Sequence, residues 1–267
     1  MESEKQSLER RSVSRVLISV SDKSAIDTFS RSLVKNGIEI VSTGGTFKVL
    51  SENGIAVTPV EDITKFPEMM HGRVKTLHPL IFGGILARDS DKSETEQYGI
   101  GIIDMVVCNL YPFGATASKG VEIDALIEEI DIGGPSLLRA AAKNHARVAV
   151  VTDSSDYNWI SKEIEAGGLN LEQRRQLALK AFRYTAEYDT IIQNELSSRF
   201  GEEDLPSSLH VTGVGSPPLR YGENPHQSAI FYSDSSIQGP CVSNSTQIQG
   251  KQLSYNNLLD FDAALAW

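Results

Sequence analysis

The run from Ile102 to Leu110, IIDMVVCNL, is the feature that most limits what this chain can become. Its apolar residues are nearly continuous rather than alternating, so the strand it forms must be covered on both faces, as in the middle of a parallel sheet. Three β-branched runs share that character: RVLISV at 15–20, IEIVST at 38–43 and VAVV at 148–151. IAVTPV at 55–60 adds a strand whose Pro59 suits an edge or a terminus. Segments of helical period lie between them. Ile26, Phe29, Leu33 and Val34 share one helix face before Asn36-Gly37, and Phe47 to Glu52 is closed by Asn53-Gly54. Further helices are expected over 91–98, 122–130, from Pro135 onward, 155–166 and 171–199. This alternation predicts an α/β fold, a doubly wound parallel sheet with helices on both faces.

The 267 residues exceed the usual size of one domain, so one large domain and part of another are expected. The segment 201–218, GEEDLPSSLHVTGVGSPP, is rich in turn formers and marks the boundary. The expected organisation is a disordered lead-in over 1–14, a domain over 15–200, a linker over 201–216, and the start of a second α/β domain over 217–267, cut short inside a helical pattern. A net charge of −10 argues against nucleic-acid binding, and no apolar run reaches the roughly 18 residues of a membrane-spanning helix. Cys108 and Cys241 are too few and too distant for a zinc site or a disulfide framework, and no metal site is expected. The polar N-terminus lacks a secretory apolar core, and Glu2, Glu4 and Glu9 argue against an intact transit peptide. The expected compartment is the cytoplasm, with a plastid as the alternative if a targeting segment has been removed.

Ligands of open parallel sheets bind beyond the carboxyl ends of the strands, and polar residues cluster there. Ser21 and Lys23 follow the first strand, Thr43-Gly44-Gly45-Thr46 the second, and Asn109 and Tyr111 end the buried one. The TGGT turn offers amides and hydroxyls to a phosphate, or is an ordinary turn; the adjacent Lys23 favours the phosphate. Neither GxxxxGK[ST] nor GxGxxG occurs at this position. In HGRVKTLHP, residues 71–79, Arg73 and Lys75 share a side if the backbone is extended. Val74, Leu77 and Leu80 imply a packed loop, in which Lys75 can be tuned for proton transfer; the competing reading is a solvated basic loop. Asp131 precedes Gly133-Gly134-Pro135, a helix start whose amides point outward for an anion. The alternative is that Asp131 only decorates that terminus. Three helical turns separate Asp131 from Lys143, so the two cannot meet through the helix itself.

ISVSDKS, VSTGGT, FPEMMHGRVKTLHP, CNLYPF, EEIDIGGPSLLRAAAKNH and LRYGENPHQ occur in this order. Together they resemble the bifunctional purine-biosynthesis family that joins phosphoribosylaminoimidazolecarboxamide formyltransferase to inosine monophosphate (IMP) cyclohydrolase. The resemblance covers the chain after about residue 14. It implies a methylglyoxal-synthase-like cyclohydrolase domain that closes the purine ring of a 5-formamidoimidazole-4-carboxamide ribotide with loss of water. Asp131 and Lys143 would move protons, with Lys75 and Tyr111 near the formyl group. Ser19, Ser21, Asp22, Lys23, Thr43, Gly44, Gly45, Thr46, Arg73, Val74, Thr76, Cys108, Asn109, Ile132, Gly133 and Gly134 would bind the ribotide. Arg220, Tyr221, His226 and Asn257 would belong to the formyltransferase substrate site. The resemblance further implies 10-formyltetrahydrofolate as formyl donor in the full-length protein, no cofactor for the cyclisation, a homodimer, and no nucleic-acid or membrane partner. A methylglyoxal-synthase-type lyase and a non-catalytic nucleotide-binding module are the rival readings of such a fold.

Overall fold

Five parallel strands form one sheet in the computed structural model: β1 (Arg15–Val20), β2 (Glu39–Ser42), β3 (Thr58–Pro59), β4 (Met105–Asn109) and β5 (Ala149–Val151). The described residues are 9–70, 74–201, 210–233, 237 and 239–267. The chain divides into two compact units, residues 1–202 and 203–267.

The strand order is β3-β2-β1-β4-β5. From β1 the chain winds outward through β2 to β3, then crosses back and winds the other way from β4 to β5. The reversal opens a crevice at the carboxyl ends of β1 and β4, the place where such sheets bind ligands. Val16, Leu17 and Ile18 of β1 and Met105 to Cys108 of β4 are buried, which explains the unbroken apolar runs. Asp104 ends the apolar character of Ile102 and Ile103, and β4 begins one residue later, shorter than expected. The expected strand over 55–60 pairs only at Thr58 and Pro59, because Val60 already starts a helix.

The first unit carries ten α-helices among its described residues: α1 (Ile26–Lys35), α2 (Gly44–Glu52), α3 (Val60–Thr64), α4 (Pro79–Leu86), α5 (Lys92–Gln97), α6 (Phe113–Ala117), α7 (Ile123–Glu128), α8 (Gly133–Lys143), α9 (Tyr157–Glu165) and α10 (Leu171–Phe200). The helices cover both faces of the sheet. Phe29 of α1 stacks on Tyr157 of α9 with ring centroids 4.4 Å apart. The small residues Ala140, Ala141 and Ala142 let α8 pack closely, and α8 contacts both β4 and α10. Pro135 stands at the third helical position of α8, since Gly133 already opens it.

Two buried arginines hold loops that sequence periodicity does not explain. Arg147 donates to the carbonyls of Gly84, Ile85, Ala87 and Ile103 and to the Asp104 carboxylate. Arg174 donates to the carbonyls of His145, Ala146 and Leu169. Asn144 adds its amide to Ile85 and Ala87 at 2.7 and 3.0 Å. Carbonyls left open at the end of α4 and beyond are thus satisfied by side chains.

Arg11 exchanges both backbone hydrogen bonds with Leu169, at 3.0 and 3.2 Å, and Arg10 pairs with Glu163 at 2.5 Å. Gly168 permits this approach, because a Cβ there would lie 1.7 Å from the Arg11 carbonyl. Arg10 and Arg11 of the expected lead-in are thus paired, and residues 1–8 lie outside the described residues. In the second unit, β6 (Val214–Gly215) pairs antiparallel with β7 (Tyr232–Ser233), and α11 (Tyr255–Leu265) follows.

Candidate active site

The crevice between β1 and β4 is a cavity of ≈ 570 Å³. One end is built on the start of α2. Thr43, extended at φ −128°, ends the strand and does not cap the helix with its side chain. The first-turn amides of a nine-residue helix therefore face the cavity without a side-chain acceptor. Two ammonium groups flank them. A Cβ on Gly44 would lie 3.1 Å from Lys75 Nζ, and one on Gly45 would lie 3.7 Å from Lys23 Nζ. Gly44 also adopts φ 49°, where other residues are strained. An uncapped helix start between two ammoniums is an arrangement that favours an anion.

Each member of this cradle is held from behind. Thr46 Oγ1 donates to the Val20 carbonyl and accepts from its amide, at 3.0 and 3.1 Å, fixing α2 to the end of β1. Lys23 Nζ donates to the Ser21 carbonyl at 3.1 Å. The Asn109 carboxamide accepts from the amides of Ser21 and Asp22 at 2.6 and 2.8 Å and donates to the Asp22 carbonyl at 2.9 Å. Asn109 is thus a clamp across the crevice, made possible by the register that sets it beside Val20.

The other end is built on the start of α8. Asp131 Oδ1 accepts from the Gly134 amide at 2.8 Å, and the amides of Tyr111 and Gly133 also point at the carboxylate. Burial nonetheless raises the Asp131 pKa above the ordinary carboxylate value, against those three donors and the nearby Lys75 ammonium. A Cβ on Gly134 would lie 2.5 Å from Asp131 Oδ2 and 2.6 Å from Leu110, so only glycine lets the acid fold back over the helix start. This corrects the expectation of an open anion site there: the first amides of α8 are spent on Asp131 itself. Apolar Ile127, Ile132, Tyr111 and Leu137 line the same end, and Thr76 Oγ1 would stand 3.2 Å from a Cβ on Gly133.

Ser19, Ser21, Lys23, Thr43 to Thr46, Lys75, Thr76, Asn109, Tyr111 and Asp131 to Gly134 line this one cavity. Several expected residues do not. Lys143 ends α8, is exposed, and lies roughly 15 Å along the helix from Gly133 at about 1.5 Å per residue. Within one chain it cannot reach Asp131. Cys108 is buried behind the cavity, its thiol 4.0 Å from the Gly134 carbonyl, where burial pushes its pKa up. Asp22 turns away to bond Ser24, whose hydroxyl and amide hold its pKa down. Val74 pairs with Met69 instead of lining the wall, and Arg73 lies outside the described residues. Lys75, expected near the formyl group, does line the cavity: it stands beside Gly44, is near enough to Asp131 to act against the rise in its pKa, and pairs with Glu68 at 3.5 Å.

In the second unit, the Arg220 guanidinium lies over the Tyr221 ring at 4.9 Å. Asn257 accepts from the Ser254 amide while Ser254 Oγ accepts from the Asn257 amide, a reciprocal cap of α11. His226 sits in the exposed turn closed by Gln227.

Residues 25–136 match the family model of the MGS-like domain, and residues 141–267 match that of the AICARFT/IMPCHase bienzyme. The two matches join across α8 and leave little of the chain after residue 25 uncovered. The chain belongs to the AICARFT/IMPCHase bienzyme family. A crystal structure of ForH is similar as well, 35% identical with a TM-score of 0.63 over 71% of this chain and the whole of ForH. In this member of the bienzyme family the MGS-like match contains β1's neighbour strands, the α2 cradle and Asp131, so it spans both ends of the cavity.

Proposed function

We propose that the first unit is an IMP cyclohydrolase. One observation carries the reading: a single cavity joins an anion cradle at the start of α2 to a desolvated carboxylate, Asp131, beside an apolar wall. A ribotide has that polarity, with its phosphate at one end and a flat heterocycle at the other. A triose phosphate would leave the wall of Ile127, Ile132, Tyr111 and Leu137 without a partner, which favours the cyclohydrolase over the lyase.

In this reading the phosphate occupies the first-turn amides of α2 with Lys23 and Lys75, and Ser21, Thr43 and Thr76 add hydroxyls. The carboxamide nitrogen attacks the formyl carbon, forming the C–N bond, and Asp131 takes the nitrogen's proton. The formyl oxygen takes up a proton and becomes a hydroxyl; its C–O bond then breaks as the formamido nitrogen loses its own proton and forms the C=N bond, so the one proton given up by each nitrogen balances the two that leave with the oxygen as water. An amide nitrogen is a poor nucleophile, so a base of raised pKa at that position is what the step requires. The Tyr111 side chain is the candidate donor to the departing oxygen. Lys143 has no step within one chain. The dehydration transfers no electrons, so the residues suffice without a cofactor. The second unit, with Arg220, Tyr221, His226 and Asn257, is proposed to contribute to formyl transfer from 10-formyltetrahydrofolate in the full-length homodimeric protein.

Two variants separate binding from chemistry. Asp131→Asn should lower kcat for IMP formation by about a hundredfold or more while KM changes little. Lys23→Ala should instead raise KM by about tenfold, as lost phosphate binding does. A KM defect in Asp131→Asn with normal kcat would contradict the base role.

A further inference from the structure

Tyr184 and Tyr188 stand one turn apart on α10, so their side chains share a face of that helix. The Tyr188 hydroxyl accepts from the Asp131 amide at 2.9 Å and donates to the Glu129 carbonyl at 3.2 Å. The Tyr184 hydroxyl accepts from the Leu110 amide at 3.0 Å. Neither tyrosine lines the cavity of the candidate site; both line the groove on the far side of residues 110–113. The two amides they hold belong to the two segments that bring the reacting groups together. One is Asp131 itself, and the other is the neighbour of Tyr111, whose own amide points at the Asp131 carboxylate.

We infer that Tyr184 and Tyr188 form a positioning brace, setting the Asp131 carboxylate against the Tyr111 segment from behind the cavity. The inference rests on the cyclohydrolase reading for its catalytic meaning, not for its geometry. Leu110 and Asp131 lie between regular elements, and the amide of neither is bonded to a backbone carbonyl. The hydroxyls supply the missing ties. The Tyr188 ring is anchored in turn, edge-on to buried Phe113 with centroids 6.5 Å apart. Burial pushes the Tyr188 phenol up to about 12 and raises that of Tyr184, so both hydroxyls keep their protons at neutral pH and Tyr188 can accept and donate at once. Displacing a reacting group by about 1 Å costs roughly a hundredfold in rate, so a brace of this kind matters to turnover without touching substrate.

The test compares Tyr188→Phe and Tyr184→Phe with the wild-type chain, and uses Tyr157→Phe as a control. Tyr157 is a buried tyrosine stacked on Phe29 of α1 and lies outside both segments. Three quantities are read: kcat and KM for the formyl ribotide, melting temperature, and amide hydrogen exchange at Asp131 and Leu110. Each brace variant should lose about tenfold or more in kcat, with KM within about twofold, since a lost buried hydrogen bond is worth about one such factor. The Asp131 amide in Tyr188→Phe and the Leu110 amide in Tyr184→Phe should exchange at least about tenfold faster while amides of β1 and β4 do not. Tyr157→Phe should leave kcat and both exchange rates unchanged. Folded brace variants with normal kcat and normal exchange would overturn the inference. So would loss of folding in both, because the hydroxyls would then be parts of the core. If the wild-type chain forms no IMP, the cyclohydrolase reading fails by itself, and the exchange rates still decide whether the brace exists.

Discussion

Asp131 has two roles that oppose each other. As the acceptor for the first amides of α8 it is favoured as an anion, and as a buried group it is favoured as an acid; burial prevails. The pH profile follows from the sign of that shift. Below its raised pKa the carboxylate is protonated and cannot take the nitrogen's proton, so kcat/KM should fall with decreasing pH through a limb above the ordinary carboxylate value of 3.8. A limb at or below that value would show that another group limits the reaction. Gly44 has the matching role at the end proposed for the phosphate. Gly44→Ala places a methyl 3.1 Å from Lys75 Nζ and forces alanine to φ 49°, so affinity for IMP should drop about tenfold or more, read by calorimetry. Unchanged affinity would place the phosphate elsewhere.

The elements were legible where periodicity is strong. RVLISV is β1 from Arg15 to Val20, and the expected helices over 122–130 and 171–199 become α7 and α10 within a few residues. The stretch 74–88 ahead of α5 was not, because its order comes from a distant side chain. Arg147 gathers the carbonyls of Gly84, Ile85, Ala87 and Ile103, a tertiary solution that leaves no local signal. Arg147→Met should therefore destabilise the first unit by about 3–5 kcal/mol, since a buried acceptor cluster loses its donor. Urea unfolding followed by circular dichroism measures this, and a loss under about 1 kcal/mol would mean that water replaces the guanidinium. The site divides in the same way. Glycines and lysines at strand ends mark the cradle in sequence, whereas Tyr184 and Tyr188 read only as residues of a long mixed helix. Their spacing of four was the available signal, and it acquires meaning only once the end of β4 lies beside them.

At the scale of the molecule, one reversal of strand order accounts for the position of the site. Winding out to β3 and back to β4 brings the ends of β1, β2 and β4 around one crevice, and α8 closes its far side. Residues separated by more than a hundred positions, Ser21 and Asp131 among them, thereby line one cavity. The same fold could serve a lyase or a silent binding module, and chemistry alone distinguishes these outcomes. The most direct measurement is ultraviolet absorbance of the purified wild-type chain mixed with 5-formamidoimidazole-4-carboxamide ribotide. Enzyme-dependent conversion to IMP is expected, slowed by about a hundredfold or more in Asp131→Asn. Binding of the ribotide without conversion, or formation of methylglyoxal from a triose phosphate by the same chain, would contradict it.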